Sequence, residues 1–229
     1  MSLWTKLQGV VNETRRRTLG AALDALAERR VKRDEAAFSI ALIALSAKMA
    51  KADGVVTDDE IAAFQDFFDF PEADAERVRM LYSLAQQDVA GFEHYLARVA
   101  RIFEHEPEVL EDVLDCLFHI AAADGVAHPR ELELLERAAD VLGISEAAFR
   151  QIKAIHLGVG EDDPYAILGV EPDATFDDIR KAYLRLAKDH HPDALIARGV
   201  PSSLAKIAEV RLAAANVAFE KISAERGKG

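Results

Sequence analysis

The sequence predicts an all-α protein, and three observations carry that prediction. Alanine, leucine, glutamate and arginine dominate the 229 residues. Apolar residues recur at spacings of three and four rather than two, and no segment shows the alternation or the β-branched run of a strand. Glycine and proline fall at Gly54, Pro71, Gly91, Pro107, Gly125, Pro129, Gly143, Gly158, Gly160, Pro164, Gly169, Pro172, Pro192, Gly199 and Pro201. Between them lie helical windows of ordinary length. With 50% hydrophobic residues, the chain can bury one large core or two small ones.

Charge divides the chain into regions. The net charge is −12, yet residues 1–33 are basic, with only Glu13, Asp24 and Glu28 against their lysines and arginines. Residues 163–229 are balanced, so the middle carries the acidic excess. That acidity repels phosphate backbones and argues against nucleic-acid binding. The single cysteine, Cys116, allows neither an internal disulfide nor a thiolate metal cluster and suits a reducing compartment. No stretch approaches the roughly 20 apolar residues of a membrane span, and residues 1–20 lack the apolar core of a secretory signal. A cytoplasmic protein is expected.

In the basic segment 1–33, Leu3, Trp4, Leu7, Val10 and Val11 fall on one helical face, ahead of Arg15-Arg16-Arg17 and then Leu19, Leu23 and Leu26. Such a helix can lie on an anionic membrane, which would place the protein peripherally at its inner face, or it can pack on the acidic region. Residues 34–157 contain an internal repeat. Ala50-Lys51-Ala52-Asp53-Gly54-Val55 returns as Ala121-Ala122-Ala123-Asp124-Gly125-Val126, with Glu60 and Glu131 at matching positions. Apolar helices precede the copies over 38–49 and 109–120 and follow them over 61–70 and 132–142. This is a helix–turn–helix unit used twice within one helical bundle.

Residues 158–163 read as a linker, because two glycines followed by acids are poor helix material. Beyond them, over 164–226, Pro164-Tyr165-Ala166-Ile167-Leu168 is a short helix closed by Gly169. Thr175 stands three before Asp178, a capping pattern that opens a helix over 176–190. Ile179, Tyr183, Leu186 and Ala187 form its inward stripe, and Lys181, Arg185 and Lys188 a basic outward one. Pro192 stops the helix, so His191 and Asp193 project from a loop. A last helix, starting near Ser202 or Ser203, carries Ile207, Val210, Leu212, Val217, Phe219 and Ile222 and suits antiparallel pairing with the basic one.

These residues resemble a J-domain. Tyr165–Val170, Ile179-Arg180-Lys181-Ala182-Tyr183, the His191-Pro192-Asp193 tripeptide and Ala218-Phe219-Glu220 are similar to its first helix, second helix, loop and third helix. The resemblance implies a docking site for a DnaK-type chaperone. Arg180, Lys181, Arg185 and Lys188 would steer the encounter, while His191, Pro192 and Asp193 would trigger ATP hydrolysis in the partner. The chain itself would then be no enzyme. Leu184 and Asp189 stand where many members carry basic residues, and Leu212 replaces a common phenylalanine. No Gly/Phe-rich or cysteine-rich region of a full DnaJ-type client binder is present.

The acidic bundle with its two Ala-Asp-Gly…Glu units resembles the TerB-like fold, and a TerB-like domain before a J-domain is similar to the DjlA type of J-protein. Ala197-Arg198-Gly199-Val200-Pro201 is also similar to that group. The order implies a co-chaperone whose bundle recruits a client still to be identified or responds to stress. The alternative is a metal-binding, tellurite-resistance-like stress sensor with the J-domain as its output. For TerB-like domains the matching acids are Asp53, Glu60, Asp124 and Glu131, four carboxylates able to hold a divalent cation such as calcium. Helix capping explains Glu60 and Glu131 as well, through Thr57-Asp58-Asp59-Glu60 and His128-Pro129-Arg130-Glu131, and that explanation is preferred; Asp53 and Asp124 lack it. No other cofactor is expected. His105, among Glu104, Glu106 and Glu108, reads as a solvated acidic turn, and His119 as a core histidine.

Overall fold

The computed structural model describes residues 42–49, 80, 83, 91–122, 129–158, 164–190 and 205–226. Every element among them is helical, and no strand occurs among the described residues. Beyond the helical residues 42–49, the helices are α1 (Phe92–Ile102), α2 (Pro107–Ala121), α3 (Pro129–Leu142), α4 (Glu146–Leu157), α5 (Pro164–Leu168), α6 (Phe176–Asp189) and α7 (Ala205–Arg226). The chain forms two compact units, Met1–Ile144 and Ser145–Gly229.

In the first unit, α3 packs against both α1 and α2. Helix α2 starts at Pro107, where a missing N–H costs no intrahelical bond. It buries Val109, Leu110, Val113, Leu114, Cys116, Leu117, Phe118 and Ile120. Those positions run around most of its circumference, the pattern of a helix enclosed by others rather than one lying on a surface. Residues 42–49 contribute Leu42, Ile43, Leu45 and Met49 to the buried set. Within that set Ser46 donates to the Leu42 carbonyl at 2.8 Å, which satisfies its hydroxyl away from water. Helix α3 ends in a Schellman closure. Ile144 N–H reaches the Ala139 carbonyl at 2.9 Å, and Gly143 takes the left-handed φ of 71° that this closure demands.

Charge is also buried in this unit. Asp115 is fully enclosed, and Lys48 and Glu131 are only 4% and 5% exposed. The Lys48 ammonium lies 5.1 Å from the centroid of the buried Tyr95 ring, and the Arg98 guanidinium lies 5.6 Å from it. Two cations thus share one aromatic ring, an arrangement favoured by desolvation. His119 is half-buried, as expected of a histidine on an apolar helix. His105 is exposed, with its Nε2 3.2 Å from Glu104.

In the second unit α5, α6 and α7 share one core of Leu168, Ile179, Ala215, Ala218 and Ile222, lined by Tyr165, Ile167, Val170, Ala174, Tyr183, Leu186 and Phe219. Three contacts fix α6 and α7 as antiparallel. Phe176 packs on Phe219 with centroids 6.0 Å apart, Tyr183 stacks on Phe219 at 4.4 Å, and His190 meets Arg211. Pairing partners on α7 thus run backward as α6 runs forward.

Helix α4 belongs to this second unit by packing, against α5 and α7. The Gln151 amide donates to the Ile167 carbonyl at 2.9 Å, supplying an acceptor near the C-terminal end of α5 with a partner. Gly169, at φ 65°, closes α5, and a Cβ there would meet the Gln151 side chain at 3.2 Å. The unit boundary falls after Ile144, and of the linker expected at 158–163 only Gly158, at φ 60°, lies among the described residues.

Candidate docking site

The basic stripe is built by the local sequence. Thr175 caps α6: its hydroxyl accepts from Asp178 N–H at 3.2 Å and donates to the Asp178 carboxylate. From that fixed start, helical periodicity sends Ile179, Ala182, Tyr183 and Leu186 inward. It leaves Arg180, Lys181, Leu184, Arg185, Lys188 and Asp189 exposed. Ile179, Tyr183 and Leu186 agree with the expected inward stripe, Ala182 is buried beside them, and Ala187, also expected there, is half-buried and not among the core residues.

The four expected steering residues are not equivalent. Lys181 is paired within its own helix, with its Nζ on Asp177 at 2.5 Å and 3.8 Å from Asp178. The hydrogen bond and attraction of Lys181 hold the Asp177 carboxyl below the usual aspartate range, and the same contact raises the Lys181 ammonium. Both groups are exposed, so the pair adds little stability; its effect is to reduce the charge available to a partner. Arg180, Arg185 and Lys188 form no salt bridge to a described residue. The field that α6 presents is therefore carried by those three side chains, with an exposed leucine, Leu184 at 53%, among them.

His191, Pro192 and Asp193 lie outside the described residues, as do Asp53, Glu60 and Asp124. What the structure places is the approach to the tripeptide. Helix α6 ends at Asp189, and His190 caps it, donating its N–H to the Leu186 carbonyl at 3.0 Å. The next residue is His191. Glu131, the described member of the four acids, lies in the first turn of α3, buried and engaged in a polar contact. Among the described residues no group of three His, Cys, Asp or Glu side chains could hold a metal ion.

Two residues with structural consequences are not apparent from sequence patterns. Arg226, near the end of α7, donates to the Pro172 carbonyl at 2.6 Å, the Ala174 carbonyl at 2.7 Å and the Tyr165 hydroxyl at 3.3 Å. Its guanidinium also lies 5.4 Å from the Tyr165 ring centroid. One side chain so ties the end of the last helix to α5 and to the loop that opens α6. Arg211 is the second, buried on α7 with Nη1 3.3 Å from His190 Nε2. A lone arginine in a helix reads as a surface residue, so neither role had a sequence signal.

No described helix is long and apolar enough to cross a membrane. The family described as tellurite resistance protein TerB matches residues 39–154, and the DnaJ domain matches residues 163–222. Among the relatives, a co-chaperone protein DjlA of Photobacterium profundum is 29% identical over 219 residues, covering 84% of this chain and 79% of the relative. That of Vibrio cholerae is 28% identical over 233 residues, covering 88% and 80%. That of Escherichia coli K12 is 28% identical over 143 residues, covering 52% and 53%. No solved structure matches the chain. Over just more than half its length the chain belongs to the TerB family, and with the DnaJ domain that follows it is a J-domain protein of the DjlA type.

Proposed function

We propose that this protein is a co-chaperone that docks on a DnaK-type chaperone through α6 and stimulates its ATP hydrolysis through His191-Pro192-Asp193. The observation that carries the reading is the outer face of α6. Arg180, Arg185 and Lys188 stand exposed, on a helix that ends one residue before the tripeptide. Exposed charges of this kind set the rate and orientation of encounter with a complementary surface. A short segment adjoining them can then bias the partner between its two conformations, provided that it binds one of them better. The reaction occurs in the partner's site, and this chain supplies binding energy rather than reacting groups.

Two extensions belong to the same reading. The TerB-family unit recruits a client, and residues 1–33, basic and amphipathic in sequence, touch an anionic membrane. Among the described residues no observation favours the metal-sensor alternative.

The test is single-turnover ATP hydrolysis by a DnaK-type chaperone with and without the full chain, with the His191→Gln variant alongside. Stimulation by the wild-type chain that the substitution abolishes supports the reading. Equal rates with and without a folded wild-type chain would refute it.

A further inference from the structure

We propose that Arg211 is a positioning residue for the tripeptide: from α7 it holds His190 and so fixes where the chain leaves α6 for His191. The proposal rests on the co-chaperone reading and adds a residue that does not itself touch the partner.

Arg211 is 7% exposed, and an enclosed guanidinium costs free energy unless its donors are engaged. An aliphatic side chain would fill a place in a helical hairpin without that cost. What a buried arginine adds is direction. Its Nη1 lies 3.3 Å from His190 Nε2, and a guanidinium can only donate. In this contact Nε2 is the acceptor, the role that the Nδ1–H tautomer allows. The contact orients the imidazole ring at the end of α6.

Place in the chain gives the contact its consequence. His190 is the capping residue of α6, at φ −104° and ψ 16°, and its N–H makes the closing bond of the helix, to the Leu186 carbonyl at 3.0 Å. The aromatic contacts that lock α6 to α7, Phe176 and Tyr183 on Phe219, lie toward the other end of the hairpin. Arg211 supplies a cross-helix polar contact at the tripeptide end. His191 is the next residue, about 3.8 Å away along the backbone, and Pro192 removes rotational freedom from the chain that follows. Holding His190 therefore sets the point from which the chain continues into His191. Small misplacements of a functional group can cost large factors in rate.

The experiment uses the full chain and the DnaK-type chaperone in single-turnover hydrolysis. It separates maximal stimulation from the concentration giving half of it, with thermal midpoints measured in parallel. Arg211→Met keeps length and removes the donors. It is expected to lower maximal stimulation about tenfold, with the half-saturating concentration, set by Arg180, Arg185 and Lys188, unchanged within about twofold. Arg211→Lys should retain an intermediate maximum. His190→Phe should reproduce Arg211→Met, and the double variant should be no worse than either single one. His190→Phe also decides the matter if Arg211→Met does not fold. Full stimulation by folded Arg211→Met, or additive losses in the double variant, would overturn the proposal alone. A folded wild-type chain without any stimulation would overturn the co-chaperone reading and this proposal with it.

Discussion

The two units treat charge in opposite ways. Among the described residues, the first unit encloses Lys48, Asp115 and Glu131, while the second sets Arg180, Arg185 and Lys188 in solvent and engages Arg226 internally. A buried charge is held by its surroundings and cannot meet a partner without breaking them. An exposed one costs little to maintain and remains available. Burial therefore separates the charges that specify a fold from those that serve recognition, and Arg211 is the described residue of the second unit that stands with the first group.

The contrast can be broken most strongly in the first unit. Asp115→Ala removes a fully buried carboxylate that has a partner, and it should cost about 3 kcal/mol or more of stability in urea denaturation. Stimulation per folded molecule should persist. In the second unit Arg226→Ala frees the carbonyls of Pro172 and Ala174, and a cost of about 2–3 kcal/mol is expected for the loss of hydrogen bonds from a charged group. A thermal melt of the full chain, resolved into two transitions, would show which unit each substitution affects.

Exposed charges should behave otherwise. Arg185→Ala is expected to leave the thermal midpoint in place. It should raise the half-saturating concentration for ATPase stimulation by up to about fivefold, the equivalent of about 1 kcal/mol for an exposed ionic contact. That penalty should shrink as salt is added. Asp177→Asn gives the smallest effect and the opposite sign. It releases Lys181 from its intrahelical partner, so docking should tighten by about twofold. Because Asp177 titrates below the usual aspartate range, it is ionised at neutral pH. Wild type would acquire the variant's behaviour only as pH falls through that depressed value, where the carboxylate is protonated.

The sequence made the elements legible where local chemistry sets them. Pro107 and Pro129 open α2 and α3, Thr175 and Asp178 open α6, and Gly143, Gly158 and Gly169 take left-handed conformations at helix ends. Each signal is contained within a few residues of the event. Long-range partners were not legible in the same way. Gln151 meeting Ile167, Arg226 meeting Ala174 and Arg211 meeting His190 join distant positions, and an isolated glutamine or arginine is no different in sequence from a solvated one. Helix α4 shows the same limit. Most of it falls within the TerB match, which ends at residue 154, yet it packs with the J-domain helices, because tertiary burial of Ile152 and Ala154 rather than sequence kinship decides its unit. On the docking face, the exposure of Arg180, Arg185 and Lys188 followed from periodicity, while the capture of Lys181 depended on side-chain conformations that periodicity does not fix.

The central claim is that the outer face of α6 and the tripeptide beyond it act on a chaperone's ATPase. Single-turnover hydrolysis by a DnaK-type chaperone, with wild type, His191→Gln and Arg185→Ala at several co-chaperone concentrations, tests it most directly. Stimulation is expected from wild type, none from His191→Gln at any concentration, and a full maximum reached at higher concentration from Arg185→Ala. Stimulation by folded His191→Gln equal to that of wild type would contradict it.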